Sequence, residues 1–451
     1  MISIQNKKQR VRRMKKTERK NILIIGFAIF AMFFGAGNLI FPPYLGLMNG
    51  KSWFLSFLCF ILMDIGLSLL TLLVVTRIGR GTEGITEKLG RLPSILILSL
   101  NAICLGPLIA IPRTAATAYE FSVAPFFPSF DTKIFSLVFF LVVVLFCLRQ
   151  SKVIDIIGTF FAPLILAALL FLIIKGIVSP LGAIELESAA HAAVRDGINA
   201  GYQTMDVMAA MIFSASILLT IKQKGYKDTR SQFKIISASG LLATLILFVV
   251  YGGLAYLGAT VCAQFPADID RVALLIAIVK ALLGEKGMVL LGALVCAACL
   301  TPAIGLLSSS ASFFEKQTKG RISYRAFVFG FAGISYVISN FGITRILALA
   351  SPILNILYPV LVLLVFMGLA EKWLPNTAVY RLAAFGTIVV STLSTVSAYL
   401  PVPVNIAALP LYEYGFQWVL PAAAFGLTGY ILTKEKPARG RRIFGNIVVR
   451  T

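Results

Sequence analysis

Histidine and acid are scarce in this chain. One histidine, 19 Asp and Glu and a charged fraction of 13% stand against 58% hydrophobic residues in 451 positions. Soluble domains carry about a quarter charged residues, so this composition excludes a water-exposed globular surface. The lone histidine, His191, lies among alanines in what reads as a loop outside the membrane, where a surface role is expected. HExxH, GxxxxGK[ST] and GxSxG are all absent, which removes the zinc-protease, P-loop ATPase and serine-hydrolase classes; no catalytic residue and no resident cofactor is expected. Cys59, Cys104, Cys147, Cys262, Cys296 and Cys299 sit in or beside apolar runs rather than in paired loops, so disulfides are not expected. Cys296 and Cys299 form a CxxC without a second pair or a nearby histidine, and they are read as packing residues instead of zinc ligands.

Long apolar runs fill the space that charge leaves. They begin near Ile22, Trp53, Pro93, Ile134, Val153, Ile198, Ile235, Gly287, Ala326, Ile346, Ala378 and Phe416, each about long enough to cross a bilayer, which gives twelve expected spans. Residues 268–284 carry Asp270, Arg271 and Lys280 and read as a surface helix between the seventh and eighth spans. Basic residues cluster in alternate loops: with the N-terminus in the cytoplasm, 32 of the 41 Lys and Arg fall on the inside. That asymmetry predicts both termini cytoplasmic and a multi-pass protein of the cell membrane. The expected organisation is a basic tail (1–21), one transmembrane domain (22–433) and a second basic tail (434–451). No cleavable signal is evident, since the first basic cluster runs straight into a spanning stretch. Lacking interleaved aromatics or glycines, residues 7–20 suit anionic lipid and orientation rather than nucleic acid, and the +22 net charge is mainly a record of topology.

Two spans are interrupted. In the first, FAIFAMFFGAGNLIFPPY (27–44), Gly35, Ala36, Gly37 and Asn38 fall near the middle and Pro42 and Pro43 follow. Each glycine lowers helix propensity by about 1 kcal/mol relative to Ala. Irregular backbone at membrane depth survives only when buried in protein or lining a wet cavity, so a break there points to a site. The competing reading is a GxxxG helix contact, but Gly35 and Gly37 are two apart and face different ways. In the sixth span, GINAGYQTMDVMAA (197–210), Gly201, Gln203, Thr204 and Asp206 cluster. A buried acid in a span costs several kcal/mol unless partnered, so Asp206 is expected to face a cavity or a partner. The alternative is an interfacial helix-N-terminal acid, although Asp196 supplies an earlier cap.

Broken helices one and six, five spans apart, are what an inverted five-plus-five repeat predicts, with repeat one at about 22–178, repeat two at about 198–368 and two extra helices at about 378–433. CLGP (104–107) and CLTP (299–302) occupy corresponding places in the third and eighth spans. Half-helix N-termini in such a fold attract an anionic group and C-terminal carbonyls a cation, which suits an amino acid with a coupled ion. Phe33, Phe34, Ile109, Met205 and Ile212 offer apolar surface, so an apolar substrate is expected. Arg113 either binds a carboxylate or serves a structural or gating role, with Glu120 two turns on along the same helix face. Asp64, midway along the second span, has no evident partner in sequence.

FFGAGNLIFPP (33–43), GPLIAIPRTA (106–115), GYQTMDVMAAMIF (201–213), ACLTPAIGL (298–306), SNFGITRI (339–346) and LPLYEYG (409–415) together resemble the bacterial branched-chain amino-acid carrier family, the leucine, isoleucine and valine cation symporters. The resemblance implies import of those amino acids with sodium or protons on the all-α broken-helix fold of the amino-acid/polyamine/organocation superfamily. It implies substrate contacts at Phe34, Gly35, Ala36, Gly37, Thr204, Met205 and Asp206, and a polar role for Asn38 in closing the site or assisting the cation. Sodium-coupled relatives imply ion ligands at Ala31, Phe34, Ala298 and Thr301, with coupling also through Asn38 and Asp206. Position 302 departs from that pattern, because Pro302 supplies no side-chain oxygen and frees the carbonyl of Ala298. Thr301 keeps sodium in play; proton coupling through Asp206 is the other expectation. A transporter-like sensor that binds amino acid without flux is the alternative function, and the absence of a long soluble segment argues against it.

Overall fold

The computed structural model describes residues 2–149, 153–374, 376–400 and 405–434. The basic segment 435–451 and the loop 150–152, both expected on the inside, lie outside the described residues. In chain order the main elements are α1 (Ile2–Phe33), α2 (Ala36–Asn49), α3 (Trp53–Ile78), α4 (Arg91–Ser122), α5 (Thr132–Arg149), α6 (Val153–Val178), α7 (Ala190–Thr204), α8 (Asp206–Gln223), α9 (Thr229–Ala259), α10 (Arg271–Gln317), α11 (Tyr324–Ser339), α12 (Ile343–Leu369), α13 (Thr377–Ser397) and α14 (Val419–Lys434).

Among the described residues, seven helices, counting α7 with α8 as one, are long and apolar enough to cross a membrane, and the bent α1–α2 pair makes up to eight. Shorter apolar helices at Thr132–Leu148, Pro163–Val178, Tyr324–Ser339 and Val419–Thr433 stand where the sequence places four further spans. Their outer sides are apolar: Ile134, Leu137, Val138 and Leu141 on α5 and Phe329, Ile334 and Val337 on α11 are exposed. Rows of exposed large hydrophobics on several helices at once require a lipid surround, since water would penalise such a surface.

The interior is packed through small residues. A Cβ on Gly46 would lie 1.9 Å from Ala255 O, and one on Gly258 would lie 1.8 Å from Pro43 O, so α2 and α9 cross with their backbones in contact. Helix α3 contains a π-helical turn at Leu62–Gly66 and α4 another at Cys104–Leu108. Inside the second, Gly106 takes φ −82°, ψ −115°. The CLGP and CLTP motifs therefore differ in structure: the first bends its helix, whereas the second runs through α10 without a break, Pro302 included. Where residues 268–284 were expected to form a surface helix, α10 begins at Arg271, capped by the Asp270 carboxylate on Val272 N and Ala273 N, and turns at Gly284 with φ 68°. His191 is exposed as expected, but it lies in the first turn of α7 rather than in a loop.

Candidate functional site

The first break forms where α1 runs out of helix-favouring residues. Phe34 N still reaches Phe30 O at 2.7 Å; Gly35 then turns to φ −112°, ψ 171°, and α2 starts at Ala36, bent about 70° away from α1. The two glycines do different work. Around Gly35 a Cβ would meet nothing within 4 Å, whereas at Gly37 it would lie 2.7 Å from the Arg113 guanidinium carbon. Gly37 is thus required for close approach. The Asn38 side chain closes the break: its Nδ2 donates to Phe33 O at 3.0 Å and to the Asp206 carboxylate at 2.8 Å.

That second bond reaches the other break. Helix α7 ends at Thr204, Met205 takes the left-handed conformation φ 67°, ψ 20°, and α8 starts at Asp206. A non-glycine residue pays about 1–2 kcal/mol there, so neighbours must hold it. Arg113, only 5% exposed, supplies the hold from α4: Nη1 donates to Gln203 O at 2.8 Å and Nη2 to Thr204 O at 3.2 Å. These carbonyls end α7 and have no partner within the helix. A guanidinium fork matches two adjacent acceptors as an ammonium cannot. Asp206 and Asp64 are Arg113's acidic electrostatic neighbours.

The structure brings together Gly37, Asn38, Arg113, Thr204, Met205 and Asp206, and it adds Asp64, whose role the sequence left open. Three expectations change. The interruption of the sixth span is not spread over residues 201–206; it is Met205 alone, and Gly201 is helical. Gly201 and Gly197 are packing residues, where a Cβ would lie 2.5 Å from the Met63 Cβ and 2.2 Å from Ser56 O on α3. Their GINAG spacing is the small-xxx-small signal that could have been read. Glu120 does not serve Arg113 but accepts from Ile343 N at 3.2 Å at the start of α12. Phe34 stacks between Phe30 and Tyr251, with ring centroids at 5.2 and 6.3 Å. Ala31 lies on α1 with Phe34 directly after it, and Ala298 and Thr301 lie on α10, a helix that packs against α1.

A cleft of about 590 Å³ descends toward the breaks from one face, lined by Phe41, Tyr44, Gln203, Arg271, Ser351 and Asn355 among others. Gln203 Nε2 donates to Ser351 Oγ at 3.1 Å across it, and the Arg271 guanidinium lies 4.9 and 4.8 Å from the Phe41 and Tyr44 rings. Gln203 gives its side chain to the cleft and its carbonyl to Arg113, so the cleft ends at the second break. The opposite face is tied by charge: Arg80 pairs with Glu87 and with Glu371 (3.3 Å), and Lys88 with Glu371 (3.5 Å).

Two broken helices joined at their breaks, inside a bundle with a lipid-facing surface, define a membrane transporter fold. Solved structures agree: a Na+-coupled sialic acid symporter in a substrate-bound outward-open state matches with a TM-score of 0.60 at 14% identity over 91% of this chain and 90% of its own. A manganese transporter of Eremococcus coleocola, in complex with an aromatic bis-isothiourea compound, matches with 0.58 at 14% identity over 92% and 96%. The chain belongs to the branched-chain amino acid transport protein family, whose description matches residues 18–436. A relative from Staphylococcus aureus strain USA300, named as a branched-chain amino acid carrier protein, is 34% identical over 443 residues, covering 93% of this chain and 99% of its own length.

Proposed function

We propose that the chain is a secondary active transporter that imports leucine, isoleucine and valine by symport with sodium or a proton, alternating access between the two faces. The observation that carries this is the pair of facing breaks joined by Asn38 and Arg113. At membrane depth such backbone is stable only around a polar or wet site. The twelve-span, five-plus-five organisation with two added helices and cytoplasmic termini completes the proposal, the basic loops setting its orientation.

In this reading the substrate carboxylate meets the N-terminus of α2 at Gly35, Ala36 and Gly37, where first-turn N–H groups lack helical acceptors. Thr204, Met205 and Asp206 face it from the second break, and an apolar side chain rests among residues such as Phe33, Ile109 and Ile212. The substrate ammonium and the Arg113 guanidinium are both cations suited to the α7 carbonyls, so Arg113 acts as the gate that substrate displaces. Sodium, where used, is held by carbonyls of Ala31 and Phe34 with Ala298 and the hydroxyl of Thr301. The cleft on one face and the ion pairs on the other fit a state open to the outside.

The test is uptake of labelled leucine into proteoliposomes with sodium and pH gradients imposed separately. Uptake driven by at least one gradient, and competed by isoleucine and valine, is expected. Uptake indifferent to both gradients removes symport, and binding without uptake restores the sensor alternative.

A further inference from the structure

Beside the cleft, a smaller cavity of about 140 Å³ lies between α7, α12, α13 and the turn that leads into α14. Asn199 and Asn355 line both spaces, so the two adjoin. Their walls differ in charge. The cleft holds Asp196, Asp268, Asp270 and Arg271, whereas among the described residues lining the smaller cavity none is charged.

Four of those residues carry a buried polar atom with no hydrogen-bond partner among the described residues: the Tyr202 hydroxyl on α7, the Ser391 hydroxyl on α13, Gln417 Oε1 and Trp418 Nε1. Ser391, Tyr202 and Trp418 are only 2%, 4% and 5% exposed. The Trp418 indole lies close to the Tyr202 hydroxyl without reaching hydrogen-bonding geometry. Helix α12 adds a backbone acceptor, since Pro359 has no N–H to offer the Asn355 carbonyl and both residues line the cavity. Native chains leave few buried polar groups unpaired, because each such group is destabilising; four around one cavity imply an occupant that satisfies them.

The wall defines what that occupant is. With no charge there, an ammonium or a carboxylate would lose its water without compensation, which excludes a free amino acid. The needs of the wall are mixed: an indole N–H only donates, an amide oxygen only accepts, and the two hydroxyls do either. Gln417 already gives its Nε2 to Ser394 Oγ at 2.8 Å, so its oxygen is left over. A hydroxyl group both donates and accepts, and a molecule bearing several answers every unpaired atom. The volume exceeds the ~30 Å³ of a single water and falls short of the ~300 Å³ at which pockets for drug-sized molecules begin, which leaves a molecule of a few carbons.

We propose that this cavity is a second ligand site, separate from the two breaks, for a small uncharged polyol, and that its occupant braces α7 against α13. Tyr202 lies two residues before Thr204, whose carbonyl Arg113 holds, so an occupant bonded to Tyr202 steadies the same end of α7. The Tyr202 phenol is positioned for this by the Tyr358 ring, 4.6 Å away. The turn before α14 already rests on α7, where a Cβ on Gly415 would lie 3.4 Å from Asn199 Oδ1.

The chain has three tryptophans, so Trp53→Phe with Trp373→Phe leaves Trp418 as the only indole in the full-length protein. Glycerol is titrated into that purified protein while Trp418 emission is followed, with glycerate as a charged molecule of the same carbon skeleton. A saturable shift is expected with glycerol and none with glycerate. Tyr202→Phe and Ser391→Ala each remove only a hydroxyl without a partner, so the fold is not at risk, and each is expected to weaken glycerol binding about tenfold. In proteoliposomes, saturating glycerol is expected to lower the maximal rate of leucine uptake with KM unchanged; this arm rests on the transport reading, and the emission arm does not. An absent or unsaturable shift means that water alone fills the cavity and overturns the site. An equal response to glycerate overturns the uncharged class, and binding unchanged in both hydroxyl variants overturns the location. A raised KM would put glycerol in the substrate site and overturn the separate one, while a full maximal rate at saturating glycerol overturns the brace. Absence of leucine uptake without glycerol overturns the transport reading, and the emission titration still decides the site.

Discussion

The two breaks solve one problem by opposite means. At the first, the chain itself yields: Gly35 takes an extended conformation with open space around it, and Gly37 gives up its side chain so that a cation can approach the backbone. At the second, the chain is an ordinary helix-forming sequence bent against its preference, with Met205 at φ 67° and the ends of α7 held by a side chain from α4. The first break is local and the second is tertiary. A break held from outside can be released by moving what holds it, which is the property a gate needs; Asn38 and Arg113 couple the two.

Removing the external hold is the largest way to break this contrast. Arg113→Ala strands two buried carbonyls, each bonded to a charged donor, and is expected to cost about 2–4 kcal/mol. Thermal unfolding in detergent measures it, with leucine uptake near background. Arg113→Lys keeps the charge without the fork and is expected to fall between; a lysine variant as stable and active as wild type would mean that the hold is electrostatic alone.

Asn38→Ala is next. It removes the link between breaks and leaves Phe33 O and the Asp206 carboxylate without their donor, an expected loss of about 1–3 kcal/mol. Combined with Asp206→Asn, the two effects are expected to be clearly non-additive, as for any pair in contact. Additive stabilities would show that the link carries little.

The glycines sharpen the comparison. Gly37→Ala drives a Cβ into the Arg113 guanidinium and is expected to cost about 1–3 kcal/mol through overpacking. Gly35→Ala, with open space and an extended φ, is expected to change stability by only about 0.5 kcal/mol. Equal losses would remove the distinction between the glycine that bends and the glycine that makes room.

The same contrast explains what could be read from sequence. The first break was legible because its cause is intrinsic: glycines and an asparagine inside an apolar span have no other comfortable explanation. The second was located only to within residues 201–206, because methionine is a good helix former and nothing near it announces a left-handed turn; the conformation comes from Arg113, 92 positions away in the chain. Gly201 drew attention for the wrong reason, its purpose being contact with α3. Asp64 was visible as an anomaly, but its place in a π turn was not, since no periodicity shows where such a turn falls.

The smallest expected effect tests the strained residue directly. If Met205 is held at φ 67° by its surroundings, Met205→Gly relieves about 1 kcal/mol of backbone strain. Part of that gain is offset by the entropy a glycine loses on folding and by the packing of a fully buried side chain. Net stability is therefore expected to change little, whereas the dependence on Arg113 changes more: in the glycine background Arg113→Ala is expected to cost measurably less, because the turn no longer needs forcing. A double-mutant cycle on thermal stability reads that difference. An Arg113 penalty unchanged by Met205→Gly would place the cost in the unpaired carbonyls alone and leave the left-handed turn to be held by packing.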